Sequence, residues 1–187
     1  MPLVIHPLFD AAGRRFVTDD ALVDVWRRIV AEDKVEMVFY SGGVNTPAEF
    51  FEFILQPRLL VSLVVDAATG RPRALGWLTN AEEGSAFAHY CVLGPFQRSV
   101  GRAMLAHWCG LKDAAGAPMF DILLGITPEV HTAALRLARI MGFSVIGTIP
   151  RYCRCPYAGG RCDGVLSCFD ILLSWPHRLP SASADNG

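Results

Sequence analysis

The sequence predicts an α/β domain in which one mixed, mostly antiparallel sheet of about six or seven strands is flanked by about four helices. Three observations predict it. Apolar runs of strand length alternate with stretches of helical period instead of gathering into separate blocks. Three of those runs follow one another across short polar turns, the pattern of an antiparallel meander. The chain has 187 residues, 52% hydrophobic and 19% charged, enough for one core that needs neither disulfides nor a structural metal.

The first run, LVIHPLF at 3–9, reads as a short strand that Pro7 confines to a sheet edge. From Thr18 the period becomes helical, and Leu22, Val25, Trp26 and Ile29 form one apolar stripe. After SGGVN a second helix starts at Thr46-Pro47-Ala48-Glu49, a capping box with proline at the first helical position, and Pro57 ends it. RLLVSLVVDAA, RALGWLTN and AFAHYCVL are the meander, joined at Thr69-Gly70-Arg71-Pro72 and at NAEEGS.

A third helix opens within FQRSVGRAMLAHW, with Val100, Ala103, Met104, His107 and Leu111 assigned to its inner face. MFDILLGI is the next strand. A helix from Val130 to Met141 turns Ala134, Leu137, Ala138 and Met141 inward and stops at Gly142 in a left-handed cap. SVIGTIPRY and VLSCFDILLSW close the sheet around a loop rich in glycine and cysteine. Nothing divides the chain, so residues 1–178 read as one domain and 179–187 as a frayed tail.

Charge narrows the partners. Seventeen basic and eighteen acidic residues leave a net charge of -1, which points away from nucleic acid and from an anionic membrane. There is no bilayer-length apolar run and no basic-then-apolar leader, so the expected location is cytoplasmic. The six cysteines are then expected as free thiols.

One corner suggests chemistry. Where the chain passes from AFAHYCVL into the third helix, Arg98, Ser99, Val100, Gly101, Arg102 and Ala103 place two guanidiniums and a glycine on a helix start. Such a start has unpaired N–H groups and the positive end of the helix dipole, and so suits an anion. Gly101 would let that anion approach the backbone. The plain alternative is an ordinary helix start with arginines turned to solvent.

Arg98-x-x-Gly101-x-Ala103 resembles the acyl-CoA pyrophosphate loop of the GCN5-related N-acetyltransferases, Gln/Arg-x-x-Gly-x-Gly/Ala, which in that family also follows the fourth strand. Downstream, His131, Ala134, Leu137, Ala138, Gly142 and Phe143 stand where members often show Asn, a small residue, Leu, Tyr, Gly and Phe. The resemblance covers residues 58–175, and His89-Tyr90-Cys91 is similar to strands of a phage-associated branch.

The resemblance implies transfer of an acetyl or other short acyl group from acyl-CoA to a primary amine, small or peptidic, in a ternary complex. It implies that the fourth and fifth strands splay, that backbone groups of Val92 and Leu93 bond the pantetheine, and that N–H groups from Ser99 to Ala103 hold the pyrophosphate, with His131 and Ala134 beside the cofactor. The acceptor would enter from the side of the first two helices and the last hairpin. Dimers are frequent in that family, so a homodimer is one assembly it implies. Two departures stand out: the family's usual acid, a tyrosine, is Ala138 here, and the fourth strand holds no carboxylate.

Attack by an amine needs a proton acceptor, and His89 is the candidate base because an imidazole titrates near neutral pH. A hydrogen-bonded histidine on a sheet face is its plain alternative. Tyr152 is the candidate acid, and Glu82, Glu83 and Asp170 are candidate amine contacts. Two readings compete with transfer. Cys153, Cys155, Cys162 and Cys168 could form a four-thiolate zinc site, although their spacing is not that of paired CxxC knuckles. The same fold could also bind acyl-CoA or a partner without catalysis.

Overall fold

The first strand of the sheet, β1 (Leu3–Pro7), is indeed an edge, and hydrogen-bonds only to β2 (Leu60–Asp66). The computed structural model describes residues 2–10, 12–155 and 159–174, and the predicted tail lies outside them. Between β1 and β2 come α1 (Asp19–Ala31), α2 (Val35–Val38) and α3 (Pro47–Ile54). After β2 follow β3 (Pro72–Glu82), β4 (Ser85–Val92), α4 (Arg98–Gly110), β5 (Ile122–Pro128) and α5 (Thr132–Ile140). The hairpin β6 (Ser144–Cys155) and β7 (Gly160–Asp170) and the short α6 (Ile171–Ser174) complete the described chain.

The seven strands lie in the order β1-β2-β3-β4-β5-β7-β6, and only β4 and β5 run parallel. The sheet parts two apolar cores. On one face Leu22, Val25, Trp26 and Ile29 of α1 meet Phe39, Phe50, Trp77, Cys91 and Leu93; on the other α4 packs with Leu78, Ala86, Leu123 and Phe169. Cys91 and Tyr90 accordingly serve opposite faces.

Local signals act as expected. Thr18 accepts a bond from the Ala21 N–H at the head of α1, and the Thr46–Glu49 box is closed in both directions. Gly142 takes φ +98° after α5. Helices α2 and α6, four residues each, were not expected, because so short a turn shows no period.

Three expectations need correction. Helix α4 buries Val100, Gly101, Met104, Leu105, Trp108 and Cys109, a face rotated from the predicted one. It lies close on the sheet because Gly76 has no side chain: a Cβ there would stand 2.6 Å from Trp108 Cζ2. His107 is left on the flank, where its Nε2 lies 2.8 Å from Ser62 Oγ. Next, no residue of α5 is fully buried: Ala134 and Leu137 face a cavity, and Ala138 packs only half-buried against the second core. Finally, the cysteine-rich loop is largely strand, and ILLS after Asp170 is helical because the Asp170 carboxylate caps the Leu173 N–H. No helix among the described residues is long and apolar enough to cross a membrane.

Candidate functional site

Strands β4 and β5 begin in register, Ser85 to Phe87 against Ile122 to Leu124, and then part. Past the split β4 stays paired with β3 as far as Val92, and β5 stays paired with β7 as far as Pro128. The opening between them is a cavity of about 760 Å³, lined by Ala88 to Val92 on one side, Ile126 to Pro128 on the other, and His131, Ala134 and Arg136 from α5.

Backbone directions say what this cavity offers. In an antiparallel ladder successive residues turn their polar groups to alternate sides. The Leu93 N–H goes to the Arg73 carbonyl, so Leu93 and Cys91 face β3 while Ala88, Tyr90 and Val92 face the gap. A splayed strand therefore presents the polar groups that an extended, amide-bearing ligand can pair with. The backbone of Val92 faces the gap. Leu93 does not: it is fully buried and bonded to β3.

The Val92 carbonyl already has a donor. Lys34, in the turn between α1 and α2, places its Nζ 2.8 Å from that oxygen and 2.6 Å from Glu32 Oε2. Glu32 Oε2 in turn accepts the Gly94 N–H at 2.8 Å, and its Oε1 lies 3.5 Å from the Arg28 guanidinium. Burial works against the Glu32 charge, yet Lys34, the Gly94 N–H and Arg28 together hold its pKa below the usual value. Gly94 itself sits at φ +85°, a turn that only glycine takes freely, with Arg28 packed where a Cβ would go.

Past this clamp the chain enters α4. Val100 and Gly101 both turn their N–H groups to the Gln97 carbonyl, which leaves those of Arg98 and Ser99 at the helix mouth without an intrahelical acceptor. Arg98, Ser99 and Arg102 are exposed; Ala103 is half-buried. Val100 and Gly101 are buried, and a Cβ on Gly101 would meet Phe96 and Met141 at 3.4 Å. Gly101 thus serves the packing of α4 on the end of α5, not the approach of a ligand. Burial lowers the pKa of His131 at the cavity wall.

A second cavity, about 520 Å³, opens beneath α2 and α3. It shares Val38, Tyr40, Trp77 and His89 with the first, so these four form the wall between them. His89 stacks on Trp77, and its Nε2 lies 3.0 Å from Thr79 Oγ1. Burial pulls its pKa down to about 4, so the ring is neutral at ordinary pH and a weak base. Burial likewise pushes the Tyr40 phenol up to about 12.

The other predicted residues lie elsewhere. Tyr152 is half exposed on the edge strand β6 and lines neither cavity. Glu82 pairs with Ser85, Ser85 with Ile122, and Ile122 with Asp170, so Glu82 and Asp170 stand in one row across the closed end of the β4–β5 split, three strand spacings apart. Cys153, Cys155 and Cys162 are buried together behind Tyr40 and Ile126, with 2.9 Å between the sulfurs of Cys155 and Cys162. Cys168 is far along β7, opposite Leu124 and Ser144, because every residue between adds strand length. The four thiols do not converge, and among the described residues no group of three or more His, Cys, Asp or Glu could hold a metal.

Lys34, Tyr40 and Arg136 line these cavities without having been expected there. Lys34 and Tyr40 belong to the connection between α1 and α3, where no motif marks them. Arg136 lies five residues beyond His131, off the face that His131 and Ala134 share, so the spacing did not mark it.

No protein-family model matches the sequence, and no curated protein matches it. Solved structures do. An N-acetyltransferase from Staphylococcus aureus Mu50 is 12% identical with a TM-score of 0.64, over 92% of this chain and 99% of that one. A GCN5-related N-acetyltransferase from Kribbella flavida is 20% identical with a TM-score of 0.59, over 90% and 97%. Spermidine N-acetyltransferase from Vibrio cholerae, in complex with CoA and spermine, is 13% identical with a TM-score of 0.64, over 90% and 95%. The chain has the GCN5-related N-acetyltransferase fold.

Proposed function

We propose that the chain moves an acetyl or other short acyl group from acyl-CoA to a primary amine, and the observation that carries this is the splay of β4 from β5 into a cavity beside the head of α4. Bound there, acyl-CoA would supply an acyl group activated as a thioester. The gap-facing backbone of Ala88, Tyr90 and Val92 suits its amide-bearing arm. The N–H groups of Arg98 and Ser99, with the Arg98 and Arg102 guanidiniums, suit its phosphates. His131 and Ala134 stand at the α5 side of the same cavity.

The acceptor amine enters the second cavity and meets the first at the wall of Val38, Tyr40, Trp77 and His89. At this wall the chain holds the two groups in proximity, which by itself accelerates a bimolecular step; the coenzyme thiolate leaves as the amide bond forms, and solvent takes up the amine's proton. His89 orients rather than abstracts, because a group with a pKa of about 4 cannot draw much charge from an amine. Tyr152, Glu82, Glu83 and Asp170 have no part in this chemistry.

Isothermal titration with coenzyme A and acetyl-CoA, followed by thiol release with a panel of amines, tests the proposal. Saturable binding and amine-dependent thiol release are expected. Binding without release from any amine favours a non-catalytic acyl-CoA-binding role; no binding by the folded chain ends both.

A further inference from the structure

Lys34 is oddly placed for a surface lysine. Its side chain is about four-fifths buried, and it crosses from the α1–α2 turn to the last carbonyl of a strand in another layer. The ammonium has three hydrogens: one goes to the Val92 oxygen and one to Glu32 Oε2. The third remains, and Lys34 lines the β4–β5 cavity.

The surrounding charges leave a surplus. Arg28, Glu32 and Lys34 sum to one positive charge, fixed at the corner where β4 gives way to the loop leading into α4. The Arg98 and Arg102 side chains and the Arg98 and Ser99 N–H groups lie beyond that loop, and Arg136 faces the cavity from α5. Among the described residues no acidic side chain lines this cavity, and Glu32 stands behind it on Lys34 and the Gly94 N–H.

We infer that Lys34 is a ligand contact, its ammonium bonding the phosphate end of the coenzyme that the β4–β5 cavity receives while Glu32 and the Val92 carbonyl hold it in place. This rests on the function proposed above. It adds a residue of the α1–α2 turn to the grip on the phosphates that the head of α4 would otherwise exert alone. The rival explanation is mechanical: Lys34 merely ties α1 to β4.

Coenzyme A titrated into native chain, Lys34→Met and the double variant Lys34→Met/Glu32→Gln, at low and at moderate salt, separates these. Expected is a loss of affinity of about tenfold in Lys34→Met, the scale of one charge-assisted contact. That loss should persist in the double variant, and affinity should depend less on salt than in native chain. Recovery in the double variant would mean that the single variant only unmasked Glu32, and overturns the inference. So does unchanged affinity, or a loss with native salt dependence. Thermal melting accompanies each titration; if Lys34→Met does not fold, Lys34→Gln, which keeps a donor for Val92 but no charge, replaces it under the same criteria. Native chain that binds no coenzyme A overturns the transferase proposal itself, and is read before any variant.

Discussion

The imidazole of His89 lies flat on the indole of Trp77, with ring centroids 5.2 Å apart and planes 3° from parallel. Phe39 stacks on the same indole at 5.9 Å. This stack desolvates His89 and sets its pKa down near 4 from an ordinary 6.5. The folded chain then binds fewer protons here than the unfolded one, so stability is full above the unfolded value and declines as pH falls towards the folded one. The loss attributable to His89 is at most about 3 kcal/mol. Urea unfolding at neutral and at mildly acid pH should show native chain losing more than His89→Gln, and equal losses would contradict a buried, neutral ring.

Turnover should follow the same ring. With His89 neutral throughout, the rate with an amine should rise with the amine's own deprotonation and show no limb near 6.5. A limb there that vanishes in His89→Gln would make His89 a base after all.

At the head of α4 the informative position is Ser99. It is exposed, so Ser99→Glu should leave the melting temperature nearly unchanged, while a carboxylate at the helix mouth should weaken coenzyme A binding by tenfold or more, on the order of one charged contact. Titration and a thermal melt on one preparation check both. Gly101→Glu would be a poor test, because it buries a carboxylate against Phe96 and Met141 and unfolding alone could explain lost binding.

Gly76 holds α4 close to the sheet. A Cβ there would stand 2.6 Å from Trp108 Cζ2 and 2.8 Å from Met104 Cε. Gly76→Ala should cost about 1–3 kcal/mol by overcrowding. Combined with Met104→Ala, the loss in denaturant titration should be smaller than the sum of the two single losses; additive losses would show that the crowding is not local.

The thiols should be quiet. Burial pushes Cys153 up to about 11, and Cys91 and Cys162 up to about 12, so a thiol reagent at mildly alkaline pH should label them only as the chain unfolds. Chelator dialysis should not move the melting temperature, since the four hairpin thiols do not converge. Stoichiometric zinc in the purified chain, lost together with stability, would reverse that reading.

Much of the fold was legible because the signals are local. The α1 stripe, the Thr46–Glu49 box, the two meander turns and the Gly142 cap each depend on residues a few positions apart, which period, capping and turn chemistry describe directly. The helix head at Arg98 was legible for the same reason. The inner face of α4 was not, because it depends on a glycine in another strand, and neither was ILLS, whose apolar run is helical only because Asp170 caps it.

The sequence by itself determined the longer elements and their order. Tertiary structure decided the rest: that β4 and β5 part after three residues, that Leu93 turns to β3 and Val92 to the gap, and that Lys34 crosses to the Val92 carbonyl. It also brought Tyr40 and His89 to one wall and sent Tyr152, Glu82 and Asp170 away from it. These are matters of register and of contact across tens of residues. A one-residue shift reverses every backbone direction and side-chain face of a strand, and no local pattern in the chain encodes that choice.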